Sequence, residues 1–120
     1  MSLISIIVPM FNEEAAIADF FAEVQPIMVA LDVDYEIICI NDGSKDATAG
    51  QLAGVYHDHP KTVRVLNLSR NFGKEAALTA GLDLARGDAV IPMDVDLQDP
   101  PELIPTLIAK WREGFHVVHA

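Results

Sequence analysis

The chain has 120 residues, 51% of them hydrophobic, so it can bury the core of one domain without disulfide or metal staples. Eighteen Asp and Glu residues oppose eight Lys and Arg, and the formal charge of -10 disfavours nucleic acid and anionic lipid as direct partners. An anionic ligand of such a chain would need a bridging divalent cation. No apolar run approaches the roughly 20 residues of a membrane span, and Cys39 cannot form an internal disulfide.

The first half of the chain alternates strand and helix signals. Residues 3–9 are a short β-branched apolar run, which predicts a strand covered on both faces. Apolar residues at spacings of three and four predict a helix over residues 17–31, and we expect Pro26 to kink or split it. Residues 35–40 are predicted as a second strand, and residues 47–56 as a short helix.

The same alternation continues in the second half. Residues 63–68 are predicted as a third strand, and a helix is predicted over residues 73–85. Because this helix is apolar nearly all round, we expect it to be buried between the sheet and neighbouring elements, and to be closed by Gly87. Residues 89–93 are predicted as a fourth strand.

The last predicted helix opens at Pro100 and Pro101, carries an apolar stripe as far as Trp111 and ends at Gly114. Residues 115–118 are predicted to begin a fifth strand. Repeated strand–helix units predict an α/β fold with a doubly wound, mainly parallel sheet and helices on both faces. We treat residues 1–120 as one domain, and since its fifth strand is barely begun, we expect it to be truncated at its C-terminal end.

Polar side chains gather after the predicted strands, at residues 9–14, 41–44, 69–74 and 94–99. The opposite strand ends carry nothing comparable. Ligands of doubly wound sheets bind at the carboxyl ends of the strands. The sequence therefore predicts one functional edge.

The strongest single feature of this edge is the pair Asp94 and Asp96. Two carboxylates two residues apart in extended chain point the same way and can share one cation. Hard oxygen ligands suit Mg²⁺ or Mn²⁺ held jointly with substrate phosphates. The alternative is a solvated acidic loop, in which Asp99 caps the following helix.

Other positions at this edge have two interpretations each. Asp42 either turns the chain or accepts hydrogen bonds from a ring N–H of a base. Phe11 either stacks on a flat ligand or packs against the protein. Arg70 and Lys74 lie near a helix N-terminus and either hold phosphate oxygens or are solvated charges. Cys39, in an apolar run, is predicted to be a core residue, and the histidines to be structural or surface residues.

Four strings occur in order along the chain: IIVPMFNEE at residues 6–14, INDGS at 40–44, NFGKEAA at 71–77 and DVDLQDPPELI at 94–104. The first two resemble the opening of the GT-A-type family 2 glycosyltransferases. The last two are similar to its polyprenyl-phosphate branch, which holds dolichol-phosphate mannose synthases and bacterial undecaprenyl-phosphate glucosyltransferases. The resemblance covers essentially the whole chain in register.

The resemblance implies a role for each matched position. The implied nucleotide-binding residues are Pro9, Phe11, Asn12, Glu13, Asp42, Gly73, Lys74, Asp94 and Gln98. The implied ligands of Mg²⁺ or Mn²⁺ are Asp94, Asp96 and Gln98. No catalytic residue is identified in this chain.

The reaction implied is an inverting transfer of sugar from a nucleoside diphosphate sugar to a polyprenyl phosphate. The resemblance favours a UDP-glucose-like donor, with GDP-mannose as the alternative. It implies a parent protein on the cytoplasmic face of a membrane, whose acceptor-binding part lies beyond this chain. By itself we expect this piece to be soluble and cytoplasmic, able to bind donor without transferring sugar, and open to oligomer formation.

Other classes of protein share parts of the pattern. A haloacid-dehalogenase-like phosphatase also has two spaced aspartates, but on its first strand and followed by Thr or Val where Gln98 stands here. A dinucleotide-dependent dehydrogenase needs a glycine-rich turn after the first strand, and residues 9–13 contain no glycine. A noncatalytic α/β domain that binds a nucleotide or a divalent cation is the remaining alternative.

Overall fold

A computed structural model describes residues 3–31, 33–98 and 100–113. Strands and helices alternate along the chain. In order they are β1 Leu3–Met10, α1 Ile17–Ala30, β2 Asp34–Asn41, α2 Thr48–Asp58, β3 Val63–Asn67, α3 Lys74–Leu84, β4 Ala89–Pro92 and α4 Leu103–Arg112. The predicted helix end at Gly114, the fifth strand at residues 115–118 and the cap at Asp99 lie outside the described residues.

The four strands form one parallel sheet in the order β3-β2-β1-β4. Ile7 of β1 lies beside Ile38 of β2, and the pairing runs on to Met10 and Asn41, the last residues of the two strands. Since parallel strands all end at the same edge, the loops that follow them meet there. The predicted α/β, doubly wound architecture is confirmed.

The two faces of the sheet bury two apolar clusters. Alternate residues of β1 point to opposite faces, so Ile6 and Val8 pack with α1, α2 and α4, whereas Ile7 packs with Ala77 of α3. Pro26 lies within α1, which runs unbroken, so the predicted split is wrong. In the part of the chain described here, no helix is both long and apolar enough to cross a membrane.

The prediction that α3 is buried on all sides is wrong. Ala77 and Gly81 face the sheet and are buried, but Leu82 is 48% exposed. A Cβ at Gly81 would lie 2.4 Å from Cγ2 of Ile7, so the glycine lets the helix approach the sheet closely. The alanines give α3 an apolar sequence, but exposing such small side chains to solvent on the outer face of a helix costs little free energy.

Gly87 does not close α3 as predicted. The helix ends at Leu84, and Ala85 after it is already extended. The N–H of Gly87 instead donates to Oγ of Ser5 at 2.8 Å, and a Cβ on Gly87 would lie 2.5 Å from that oxygen. Glycine is required at this position because the chain passes too close to β1 to leave room for a side chain.

A buried polar network ties the end of α3 to the sheet. The carboxylate of Glu36 accepts hydrogen bonds from Oγ of Ser5 at 2.5 Å, from the N–H of Arg86 at 2.8 Å and from Nη1 of Arg64 at 3.0 Å. The same Arg64 nitrogen donates to the carbonyl of Leu84 at 2.7 Å. Burial raises the pKa of Glu36, but the hydrogen bonds from Ser5, Arg86 and Arg64, with the charge of Arg64, outweigh it and lower the pKa.

We predict that Glu36→Gln lowers the free energy of unfolding by about 2 kcal/mol at neutral pH, because it removes a charged acceptor from this network. Glu23→Gln, on the exposed side of α1, should change it by less than about 0.5 kcal/mol. Urea unfolding measures both.

The pH dependence provides a second check. A lowered pKa contributes stability above the pKa of the unfolded chain, and this stability is lost as the pH falls through the folded pKa. The difference between wild type and Glu36→Gln should therefore shrink on acidification. A difference that stays constant with pH would contradict the assigned role of the carboxylate.

Candidate functional site

The carboxyl edge of the sheet contains a cavity of about 430 Å³. Its walls come from the loops after β1, β2, β3 and β4 and from the first turn of α3. The lining residues are Pro9, Met10, Phe11, Glu13, Asp42, Asn71, Gly73, Lys74, Asp94, Val95, Asp96 and Gln98.

The structure brings together all but one of the site residues predicted from the sequence. Those that line the cavity are Pro9, Phe11, Glu13, Asp42, Gly73, Lys74, Asp94, Asp96 and Gln98. Asn12 does not line it. Their proximity is observed, whereas their roles in binding nucleotide or metal stay predictions.

Asn12 joins two loops beside the cavity. Its φ of 52° is a left-handed conformation that asparagine tolerates. Its N–H donates to Oγ of Ser44 at 2.9 Å, and its side-chain oxygen accepts from the N–H of Lys45 at 2.8 Å. The N–H of Glu13 donates to Oγ1 of Thr48 at 3.0 Å. These contacts fix the loop after β1, and with it Glu13, against the turn after β2.

The sequence predicts that Asp42 either turns the chain or accepts a hydrogen bond from a ring N–H of a base. Its side chain is buried against the loop before α3 and also borders the cavity. One carboxylate oxygen accepts from the N–H of Phe72 at 2.8 Å and the other from the N–H of Gly73 at 3.0 Å. Nδ2 of Asn71 adds bonds to the Asp42 carbonyl at 3.2 Å and carboxylate at 3.3 Å.

Gly43 lets these two loops touch. Its φ is 71°, and a Cβ there would lie 2.3 Å from the carbonyl carbon of Arg70 and 2.3 Å from the nitrogen of Asn71. Both are backbone atoms that cannot rotate away. No residue with a side chain fits this position without displacing the loop.

Asp94 and Asp96 lie in a turn after β4, not in extended chain as predicted. They still border the same cavity, because the residue between them, Val95, is buried in the core. Nζ of Lys74 lies 2.6 Å from Oδ1 of Asp94, and Nε2 of Gln98 donates to Oδ2 of Asp96 at 3.1 Å.

Negative charge accumulates on this side of the cavity. Burial raises the pKa of Glu13, and repulsion from Asp96, Asp46 and Asp94 raises it further. Among the described residues, no group of three or more His, Cys, Asp and Glu is arranged to hold a metal ion. The two aspartates fit Mg²⁺ or Mn²⁺ as hard oxygen donors, with the other ligands left to a phosphate-bearing molecule.

The predicted basic pair is divided between two cavities. Lys74 lines the cavity described above, whereas Arg70 lines a neighbouring one of about 550 Å³. The guanidinium of Arg70 lies 4.3 Å from the ring centroid of Phe72, a cation–π contact. Phe11 borders both cavities and is 44% exposed, so its ring is available to a ligand.

Sequence reasoning missed some residues around the cavity. Met10 and Val95 line it, and their apolar character gave no signal. Asn71 lies in the polar segment at residues 69–74, but nothing in the sequence indicates its bond to Asp42. Cys39 is a buried core residue, as predicted, and burial raises the pKa of its thiol to about 12.

The sequence pattern of glycosyl transferase family 2 matches residues 5–120. The chain therefore belongs to glycosyl transferase family 2. This confirms the family indicated by the four strings, and it decides against the phosphatase and dehydrogenase alternatives.

Curated relatives agree with the polyprenyl-phosphate branch. A glycosyltransferase of Synechocystis sp. is 54% identical over 117 residues, which are 98% of this chain and 36% of the relative. The bactoprenol glucosyl transferase of Shigella phage SfV is 53% identical over 98% of this chain and 38% of its own length. An undecaprenyl-phosphate 4-deoxy-4-formamido-L-arabinose transferase of Pseudomonas fluorescens is 42% identical over 96% of this chain and 34% of its own. The chain thus spans little more than a third of these relatives.

Solved structures share the fold. Glucosyl-3-phosphoglycerate synthase from Mycobacterium tuberculosis, in complex with Mn²⁺, UDP and glucosyl-3-phosphoglycerate, superposes with a TM-score of 0.70 and 29% identity, over 92% of this chain and 39% of that one. A mannosyltransferase from Pyrobaculum calidifontis in complex with GDP-Man and Mn²⁺ superposes with a TM-score of 0.67 and 22% identity, over 81% of this chain and 32% of that one. The second likeness concerns the fold alone.

We predict that Gly43→Ala lowers the free energy of unfolding by about 2 kcal/mol or more, because the left-handed φ and the backbone overlap cannot both be relieved. Gly50→Ala is the matched control: nothing lies within 4 Å of its Cβ, and alanine is the better helix former. That variant should be as stable as wild type or more stable. Thermal unfolding of both variants measures this, and an unaffected Gly43→Ala would contradict the loop contact.

Proposed function

We propose that this chain forms the nucleotide-sugar-binding part of an inverting glycosyltransferase that transfers sugar to a polyprenyl phosphate. The observation that carries the proposal is the convergence of Asp94, Asp96 and Lys74 on one cavity at the carboxyl edge of a doubly wound sheet. The names of two relatives, a bactoprenol glucosyl transferase and an undecaprenyl-phosphate transferase, support the lipid acceptor.

The nucleoside occupies the part of the cavity bordered by the loops after β1 and β2. Phe11 offers a half-exposed ring for stacking, and Pro9 gives the wall a rigid backbone. Glu13 accepts from ribose hydroxyls, and its raised pKa reflects the burial and negative charge there. Asn12 contributes by holding this loop, and Asp42 has a remaining lone-pair direction for a ring N–H.

The diphosphate occupies the other part, next to Gly73, Lys74, Asp94 and Gln98. Asp94 and Asp96 would hold Mg²⁺ or Mn²⁺, with the side-chain oxygen of Gln98 as a further donor. The ion would neutralise charge on the leaving diphosphate. A cation is needed because one lysine cannot balance a diphosphate facing two aspartates and Glu13.

Transfer follows from this placement. A phosphate oxygen of the acceptor attacks the anomeric carbon on the face opposite the diphosphate, the bond from that carbon to the diphosphate breaks, and the configuration inverts. The acceptor phosphate is already ionised, so no strong general base is required. Lys74, whose ammonium group lies beside Asp94 at this cavity, would stabilise the charge that develops on the departing nucleoside diphosphate.

A UDP-glucose-like donor is favoured over GDP-mannose. Relatives named bactoprenol glucosyl transferases support this preference, and so does a solved structure at 29% identity that contains UDP and Mn²⁺. The lipid acceptor places the reaction at a membrane surface, and a nucleotide sugar places it on the cytoplasmic side.

We predict that isothermal titration of this chain gives binding of UDP in the presence of Mn²⁺ and at least about tenfold weaker binding in chelator, since the ion offsets the repulsion between the diphosphate and the aspartates. GDP should bind more weakly than UDP. Asp96→Ala should abolish the metal-dependent part of the affinity.

Asp83→Ala is the control for the lost charge, because Asp83 is exposed on α3 and does not line the cavity. It should bind UDP and Mn²⁺ as wild type does. Equal binding of Mn²⁺ with and without UDP would instead support a cation-binding domain with no role in donor recognition, and UDP binding unaffected by Asp96→Ala would place the metal elsewhere.

A further inference from the structure

Asp42 differs from the other acidic residues of the cavity in how its carboxylate is used. The residue is 3% exposed, and both carboxylate oxygens already accept hydrogen bonds from the chain. The donors are two consecutive backbone N–H groups, those of Phe72 and Gly73, and the side-chain amide of Asn71. A charged acceptor binds such N–H groups about twice as strongly as a neutral one does.

This contact lies directly before the start of α3. Gly73 has a φ of 105°, and the next residue, Lys74, is the first of the helix. One peptide bond therefore separates the N–H held by Asp42 from the α-carbon that bears the lysine side chain. Nζ of Lys74 lies 2.6 Å from Oδ1 of Asp94, across the cavity.

The backbone of the two loops reinforces the same arrangement. Gly43 lies directly against the peptide that joins Arg70 to Asn71, so the loop before α3 cannot move toward the turn after β2. Asp42 prevents movement in the opposite direction. Together they hold the start of the helix from two sides.

We propose that Asp42 is a positioning residue for the diphosphate, acting through Lys74. Its carboxylate holds the loop before α3 so that the lysine ammonium reaches the phosphate side of the cavity. This rests on the proposed donor site, but it assigns Asp42 a role at the diphosphate, in addition to the contact with the base implied by the family resemblance.

Inorganic pyrophosphate separates the two roles, because it has no base. Titration with pyrophosphate and Mn²⁺ is carried out on wild type, Asp42→Asn, Lys74→Met and the double variant, with Asp83→Asn as the control for charge. The Asn side chain places an NH₂ group against one backbone N–H, so one of the two bonds is lost. Both single variants should bind pyrophosphate about tenfold more weakly than wild type.

The double variant distinguishes positioning from general destabilisation. If Asp42 acts through Lys74, adding Asp42→Asn to Lys74→Met should cause no further loss of pyrophosphate affinity. Independent, additive losses would overturn the proposal. So would an Asp42→Asn protein that has lost UDP but binds pyrophosphate as wild type does, an outcome that leaves the proposed function intact.

If wild type binds neither UDP nor pyrophosphate, the proposed function is refuted. The positioning role of Asp42 can still be tested in that case, by a measurement that needs no ligand. NMR of ¹⁵N-labelled lysine reports the ion pair between Lys74 and Asp94 directly. We expect Asp42→Asn to lose that signal, and an unchanged signal would refute the positioning role. If Asp42→Asn does not fold, Asn71→Ala removes a neighbouring bond more gently and should weaken the same signal, with retention again counting against the proposal.

Discussion

The buried carboxylate of Asp42 joins two loops whose residues are 30 apart in the sequence. One loop follows β2 and the other leads into α3, and the cavity at the carboxyl edge is the space between them and the ends of β1 and β4. The contact is close because Gly43 has no side chain. The parallel sheet brings the strand ends to one edge, and this contact gives that edge its shape.

The electrostatics of the edge follow from the same arrangement. Burial raises the pKa of Glu13, and the nearby charges of Asp96, Asp46 and Asp94 raise it further. Lys74 offsets part of this negative charge through its ion pair with Asp94. On a chain with a formal charge of -10, this is an unfavourable place for an anion unless a cation accompanies it. These acidic residues would repel a bare nucleotide, which is why the proposed donor site requires a divalent ion.

Much of the fold could be predicted from the sequence, because local signals determine it. Each of the four described strands begins and ends within one residue of its predicted bounds, since apolar runs and turn residues mark strand ends. The carboxyl-edge rule predicts where the loops and their polar side chains meet, and a cavity lies there. The burial of α3 could not be predicted, because a run of alanines is compatible with either an inner or an outer helix face.

The contacts that organise the site could not be predicted from the sequence either. The resemblance predicts that Asn12 binds nucleotide, but it does not reveal that Asn12 joins two loops, because those hydrogen bonds depend on a turn more than 30 residues away. Asp42 gave no indication of its partners for the same reason. The Glu36 network depends on the register that places Ser5 beside Glu36, and on an arginine from β3, so only the assembled sheet reveals it.

The proposed function depends on a metal-dependent donor site in the cavity at the carboxyl edge. A crystal structure of the chain grown with UDP and Mn²⁺, with the metal located by its anomalous scattering, tests for this site. We expect manganese bound by the carboxylates of Asp94 and Asp96 and by the diphosphate, with the base beside Phe11. Manganese on other residues, or UDP bound outside this cavity, would contradict it.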